Sequence, residues 1–200
     1  PQRGSMRRYV IVCIFLLMLS NVNGLPTGVG SIGDNGCTCH GGADSSTTVN
    51  ITGLPSNYTS SSEYNLSLTI DSSIEENEVQ GGFRILISHG EIIGDGWQII
   101  DNGYTHTQDI NDRRNWTAKW IAPNSDNELV TVVVYGNAVN GGGSPAGDAW
   151  NSASYAVPGM NYTGEVIAPD VDGSVSGAQI AVGILGLMLL LCVTVIALRD

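Results

Sequence analysis

The chain has 200 residues, 8 Lys plus Arg against 19 Asp plus Glu, and a formal net charge of −11. So acidic a balance repels phosphate backbones and argues against nucleic acid as a partner. Every acidic residue except Asp200 lies between positions 25 and 176, where the only bases are Arg84, Arg113, Arg114 and Lys119; both ends are apolar.

Residues 1–24 read as an upstream remnant followed by a signal peptide. Arg7 and Arg8 precede an apolar run from Tyr9 to Leu19, polar residues close it, and the small side chains before Leu25 place cleavage after Gly24. Export follows, with residues 25–168 as a domain on the extracytoplasmic side. The chain has four cysteines, and Cys13 and Cys192 fall in the terminal apolar runs. Cys37 and Cys39 are therefore the thiols of the exported part, and His40 follows them in a glycine-rich setting.

Three readings of Cys37-Thr38-Cys39-His40 stand side by side. Export favours a Cys37–Cys39 disulfide, although residues two apart have Cα atoms about 5.5–7 Å apart, at the upper limit for the bond. Two thiols and an imidazole also suit copper or zinc, given a fourth ligand from elsewhere. The third reading is a covalently held haem c with His40 as axial ligand and a sixth ligand from His89, His106 or Met160. His89 also reads as a turn residue, His106 as a hydrogen-bonded strand histidine, and Met160 as packing near the linker.

The strands follow in order. Thr48 to Leu54 is a weak strand ending at Pro55-Ser56-Asn57. Tyr64, Leu66, Leu68 and Ile70 alternate with polar residues, the mark of a half-buried strand. Glu75, Glu76 and Glu78 are clustered but lack the spacing of a calcium loop and read as a solvated loop. Gly81-Gly82 reads as a turn, followed by alternation at Phe83, Ile85 and Ile87. Trp97 to Ile100 is a weak strand before the turn Asp101-Asn102-Gly103. Trp116, Ala118 and Trp120 alternate again. Leu129 to Tyr135 is apolar on both faces and reads as a central strand; Ser154 to Val157 is a last weak one. Seven or eight short strands separated by turn residues predict an all-β, antiparallel sandwich. Trp116, Trp120 and Trp150 read as packing residues.

Five Asn-x-Ser/Thr sequons, at Asn50, Asn57, Asn65, Asn115 and Asn161, fit a glycosylated surface protein. No nucleophile elbow, phosphate loop or zinc-protease motif is present. Asp148 and His106 could pair, yet no enzyme class follows from them. Residues 169–177 read as an acidic Gly/Ser linker. From Ala178 to Leu198 there is no charge; at about 1.5 Å per residue the run spans a bilayer core of about 30 Å. It is expected to be a single transmembrane helix with 199–200 as a cytoplasmic tail, the membrane being a partner in itself.

Gly36-Cys37-Thr38-Cys39-His40-Gly41-Gly42 opens a longer series: Leu54-Pro55 with Tyr58, Gly81-Gly82-Phe83, His106-Thr107, Asn115-Trp116-Thr117, Trp120 with Ala122-Pro123, Tyr135-Gly136-Asn137-Ala138-Val139-Asn140-Gly141, and Gly147-Asp148. The order resembles the Reeler-like domains of exported microbial proteins, including the choice-of-anchor group, over roughly residues 33–158. The resemblance implies a sandwich displayed at the cell surface, tethered here by the C-terminal helix, and brings no enzymatic activity with it. Its function would be non-catalytic binding or adhesion, with a surface protein or glycan as partner. Related domains carry C-x-x-C-H at the opening, the haem attachment pattern, where this chain has C-x-C-H. The alternative implied is a tethered electron carrier with haem at Cys37 and Cys39; otherwise no cofactor is expected.

Overall fold

The period-two pattern builds two antiparallel sheets in the computed structural model, which describes residues 25–171 and 177–199, without the side chains at 178, 179 and 196–199. The remnant, the signal peptide and linker residues 172–176 lie outside the described residues. The strands are β1 (Thr48–Thr52), β2 (Glu63–Asp71), β3 (Gly81–Ile87), β4 (Glu91–Ile93), β5 (Trp97–Ile100), β6 (Gly103–His106), β7 (Asn115–Ile121), β8 (Leu129–Ala138) and β9 (Ala149–Pro158). One sheet has the order β1-β2-β7-β4 and the other β5-β6-β3-β8-β9. Residues 25–171 form one compact unit.

The core lies between the sheets because alternate residues of each strand share a face. Val49, Ile51, Leu66, Leu68, Ile70, Trp116 and Trp120 come from one side; Phe83, Ile85, Val130, Val132, Val134 and Val157 come from the other. Sheet spacing is tight where β8 crosses β1 and β2: a Cβ on Gly136 would meet Ile70 and Val49 at 2.8 Å. Arg114 anchors the β2–β3 loop. Its guanidinium donates to the carbonyls of Gln80 (2.9 Å), Ile74 (2.8 Å), Ser72 (3.4 Å), Glu75 (3.3 Å) and Val139 (3.3 Å).

Four details depart from the sequence reading. Nine strands are present among the described residues, since β4 and β6 are too short to show a period. Gly81 and Gly82 begin β3 instead of forming a turn, and pair with Ala138 and Asn137. β9 starts at Ala149, five residues earlier than expected. The linker does not leave the domain at once: Ser154 Oγ donates to Pro169 O (2.6 Å) and Ser152 Oγ to Val171 O (3.0 Å), laying its first residues along β9. The expected turn at Asp101-Asn102 is present, with φ of 46° and 60°; two consecutive left-handed residues make the tight hairpin between β5 and β6.

A separate helix, α1, covers Gly177–Arg199. Its side chains are described from 180 to 195, and among the described residues no helix is long and apolar enough to cross a membrane. Val182, Leu185 and Leu189 on it are exposed to 70, 68 and 70%.

Candidate functional site

The Cys-x-Cys-His stretch sits against the outer face of the five-stranded sheet. Register puts Gly82, Asn137 and Trp150 in one row across β3, β8 and β9, and Arg84, Tyr135 and Ser152 in the next. Residues 25–47 cross this face as a strap. Val29 N donates to Thr105 Oγ1 (3.1 Å), Tyr135 Oη to Asp34 O (2.7 Å), Trp150 Nε1 to Gly41 O (3.0 Å), and Asn151 Nδ2 to Thr47 O (2.7 Å). Gly36 has φ +102°, and a Cβ there would lie 2.2 Å from the Trp150 ring, so only glycine lets the strap lie flat on the indole.

Under the strap lies Arg84, with its side chain wholly buried. Its Nε donates to Asp34 Oδ1 (2.8 Å), Nη1 to Ile100 O (2.5 Å) and Val29 O (3.3 Å), and Nη2 to Asp101 O (3.1 Å). Strand alternation put Arg84 on the polar face; the strap turns that face into interior. The same cover buries β8 on both faces from Tyr135 to Ala138, after strict alternation over its first half.

Thr38–His40 is one turn of 3-10 helix with Cys37 at its N-cap. Side chains three apart eclipse in such a turn, so Cys37 and His40 face the same way while Cys39 is exposed. The two sulfurs are not bonded to each other in this structure, with Cys37 half-buried and Cys39 exposed. Burial, reinforced by the neighbouring Cys39, pushes the Cys37 thiol up to about 12. Alkylation with iodoacetamide near neutral pH is therefore expected to label the exposed Cys39 well before the half-buried Cys37; peptide mapping reads both, and equal labelling rates in the native state would refute this difference.

His40 is held from both ring nitrogens. Nδ1 lies 2.9 Å from Asp148 Oδ2, whose side chain is 4% exposed, and Nε2 lies 3.3 Å from Asn137 Nδ2. Acceptor on one side and amide donor on the other assign the tautomer: Nδ1–H donates to the carboxylate, and Nε2 accepts from the amide. Asp148 Oδ1 also accepts from the Asn140 N–H (3.0 Å). Asn137 Oδ1 is buried without a partner. A carboxylate behind an imidazole fixes its orientation, but here the free lone pair is taken by Asn137. Asp148 thus pairs with His40 and not with His106.

The other candidates do not converge on His40. His106 is 6% exposed in β6; its Nδ1–H donates to Thr107 O (3.2 Å) and its ring lies 5.8 Å from Phe83. A Cβ on Gly82 would come within 2.3 Å of His106 Nε2, so this glycine makes room for the ring. Burial holds the imidazole below its ordinary value, opposed by the Thr107 bond. His89 is exposed, 3.8 Å from Glu128; Met160 is 60% exposed beyond β9. Both stand at the Leu129 end of β8, eight residues and about 26 Å from Asn137. All five sequon asparagines are exposed, and Glu75, Glu76 and Glu78 stand in an exposed loop.

These residues do not fit a haem as folded. Cys37 faces the sheet, Cys39 faces solvent, and Nε2 of His40 is capped by Asn137. Holding a haem by both sulfurs and the imidazole requires the turn to open and the amide to move. Among the described residues no group of three or more His, Cys, Asp and Glu side chains converges to hold a metal ion.

The partners of the turn were in the sequence but unpaired by it. Asp148, Asn137, Tyr135 and Trp150 lie about a hundred residues from the turn, and no spacing rule connects them to it. A second feature went unread: a groove of about 310 Å³ between the edge strands β4 and β5, lined by Ile93, Trp97, Ile99 and Tyr104.

No family model matches the chain, and no curated protein matches it. Solved structures with a similar backbone include a human F-spondin reeler domain (TM-score 0.39, 14% identity, 62% of this chain and 99% of that one). A conjugate transposon protein from Bacteroides vulgatus gives 0.40 and 14%, over 58% and 87%. A conjugative transposon lipoprotein from Bacteroides eggerthii gives 0.35 and 9%, over 56% and 97%. At these scores the likeness carries nothing about function.

Proposed function

We propose that this chain is a membrane-tethered, non-catalytic sandwich module, held outside the cell to bind a surface protein or glycan. The observation that supports it most is the uncharged sequence run from Ala178 to Leu198: the described part of α1 is by itself too short to meet the length of a span, but its large apolar side chains face outward all round, Val182 and Leu189 to 70%. A helix apolar on every side needs a lipid or protein surround. The binding role is supported by the chemistry under the strap. His40 is held at both ring nitrogens, by Asp148 and by Asn137, and the segment around it is pinned as a rigid surface.

The full chain is expected to stay in the membrane pellet after alkaline carbonate washing, with residues 25–171 cleaved by protease added to intact cells. Placing two charges mid-helix (Leu187→Arg with Leu190→Arg) costs about 2.5–3.5 kcal/mol each for insertion and should release the chain from the pellet. Extraction of the unaltered chain by carbonate, or protection from external protease, would disprove the tether and its orientation.

A further inference from the structure

The outer face of the β1-β2-β7 surface carries three of the five sequons in register. Residues i and i+2 of a strand share a face, so a sequon inside a strand sets its asparagine beside its hydroxyl residue. Asn50 and Thr52 lie on β1, Asn65 and Ser67 on β2, Asn115 and Thr117 on β7. Pairing places Ser67 opposite both Thr52 and Thr117, and Thr69 opposite both Asn50 and Asn115. The hydroxyls of three sequons thus form one row. The three asparagines are exposed, and none is paired directly with another: Asn65 faces Lys119. Asn50 and Asn115 are two strand spacings apart, about 10 Å, and Asn65 lies four residues along β2 from their row, about 13 Å.

From this arrangement we infer that the outer face of the four-stranded sheet bears N-linked glycans at Asn50, Asn65 and Asn115. The inference rests on the export proposed above. The donor is an oligosaccharide on a lipid pyrophosphate. The bond from the sugar C1 to the pyrophosphate oxygen breaks, a bond from C1 to the asparagine Nδ2 forms, the amide gives one proton to solvent, and the lipid pyrophosphate leaves with the bonding electron pair. The fold accepts this without loss. Asn50 uses only Oδ1, accepting from Tyr155 Oη (3.0 Å), and Asn115 only Oδ1, accepting from Ser67 Oγ (3.3 Å); an N-linked glycan keeps that oxygen and leaves outward through Nδ2. Asn161 is the opposite case. Its Nδ2 donates to Asp126 Oδ1 (3.0 Å) and its backbone N–H to Asp126 O (2.9 Å), so in the folded domain the nitrogen that must attack the sugar is already held against a carboxylate. The sequons therefore divide: the sheet face is modified and Asn161 is not. A glycan-covered face leaves the five-stranded sheet, with its strap, as the surface open to a partner.

The test is glycopeptide mass spectrometry on the full chain purified from the membranes of its own host, alongside protease treatment of intact cells. Expected are glycopeptides at Asn50, Asn65 and Asn115, an unmodified Asn161 peptide, and loss of that glycan mass in an Asn50→Gln/Asn65→Gln/Asn115→Gln variant whose unfolding midpoint is unchanged. An exported, protease-accessible chain with bare peptides at the three positions overturns the inference while leaving export standing, whatever Asn57 carries. Glycan on Asn161 at the occupancy of the sheet positions also overturns it. A chain inaccessible to external protease and bare at every sequon overturns both.

Discussion

Replacing Arg84 with methionine should lower the stability of the sandwich by about 3–5 kcal/mol, the range for removing one partner of a buried charge network. The side chain is wholly enclosed and serves one carboxylate and three carbonyls. Methionine fills much of the volume and supplies no donor. Asp34, with its side chain 31% exposed, can turn to water, but the carbonyls of Val29, Ile100 and Asp101 lose the donor that joins strap to hairpin, and unmet polar groups cost more than the mean hydrogen bond gains. Lysine should recover little, because one ammonium cannot match a planar fork directed at four acceptors. The urea midpoint reports the loss. Limited proteolysis adds a local readout, since residues 25–36 should be cut before the strands in the methionine variant. An unaltered midpoint would mean that the strap is held by something other than this guanidinium.

Trp120→Ala should cost a similar amount, about 3–5 kcal/mol. The indole is fully buried, stacked on Tyr64 at 5.4 Å and edge-on to Tyr58 at 5.6 Å, and it pairs across the sheet with both Tyr64 and Ile92. Truncation opens a cavity between Tyr64 and Ile92 of the sheet and Tyr58 of the β1–β2 connection. Trp120→Phe should cost much less than alanine, because Nε1 of Trp120 is buried without an acceptor and its removal forfeits no hydrogen bond. The comparison of the two unfolding midpoints carries the claim. Equal losses would show that the indole N–H, not ring packing, is what matters there.

The sheet interior was legible in the sequence because its signal is local. Tyr64, Leu66, Leu68 and Ile70, then Trp116 and Trp120, declare their face by period two alone, and both runs fall in strands with these residues buried except Tyr64, which is half-buried. Asp101-Asn102 declared a hairpin through residues that tolerate positive φ. What failed to show were elements too short for a period, β4 and β6, and glycines used for proximity instead of turning. Gly82 is such a glycine: the local rule reads a turn, and the fold uses the missing Cβ to seat His106.

The residues of the candidate site were visible singly and invisible as a set. Cys37, Cys39 and His40 stood out by type and spacing, but their roles depend on a turn geometry that sends Cys37 inward and Cys39 outward, and on which of the distant acids meets the imidazole. Asp148 was matched with His106 on chemistry alone; the strap delivers His40 to it instead.

The amino-acid order by itself determined a strand-built acidic body between two apolar ends, because alternation, turn chemistry and charge are read from neighbours. The tertiary structure alone decided that residues 25–47 close over one sheet, that Arg84 becomes interior, and that three sequons align in a row. Each of those depends on pairing between segments tens to a hundred residues apart, and long-range register leaves no mark on the sequence between them.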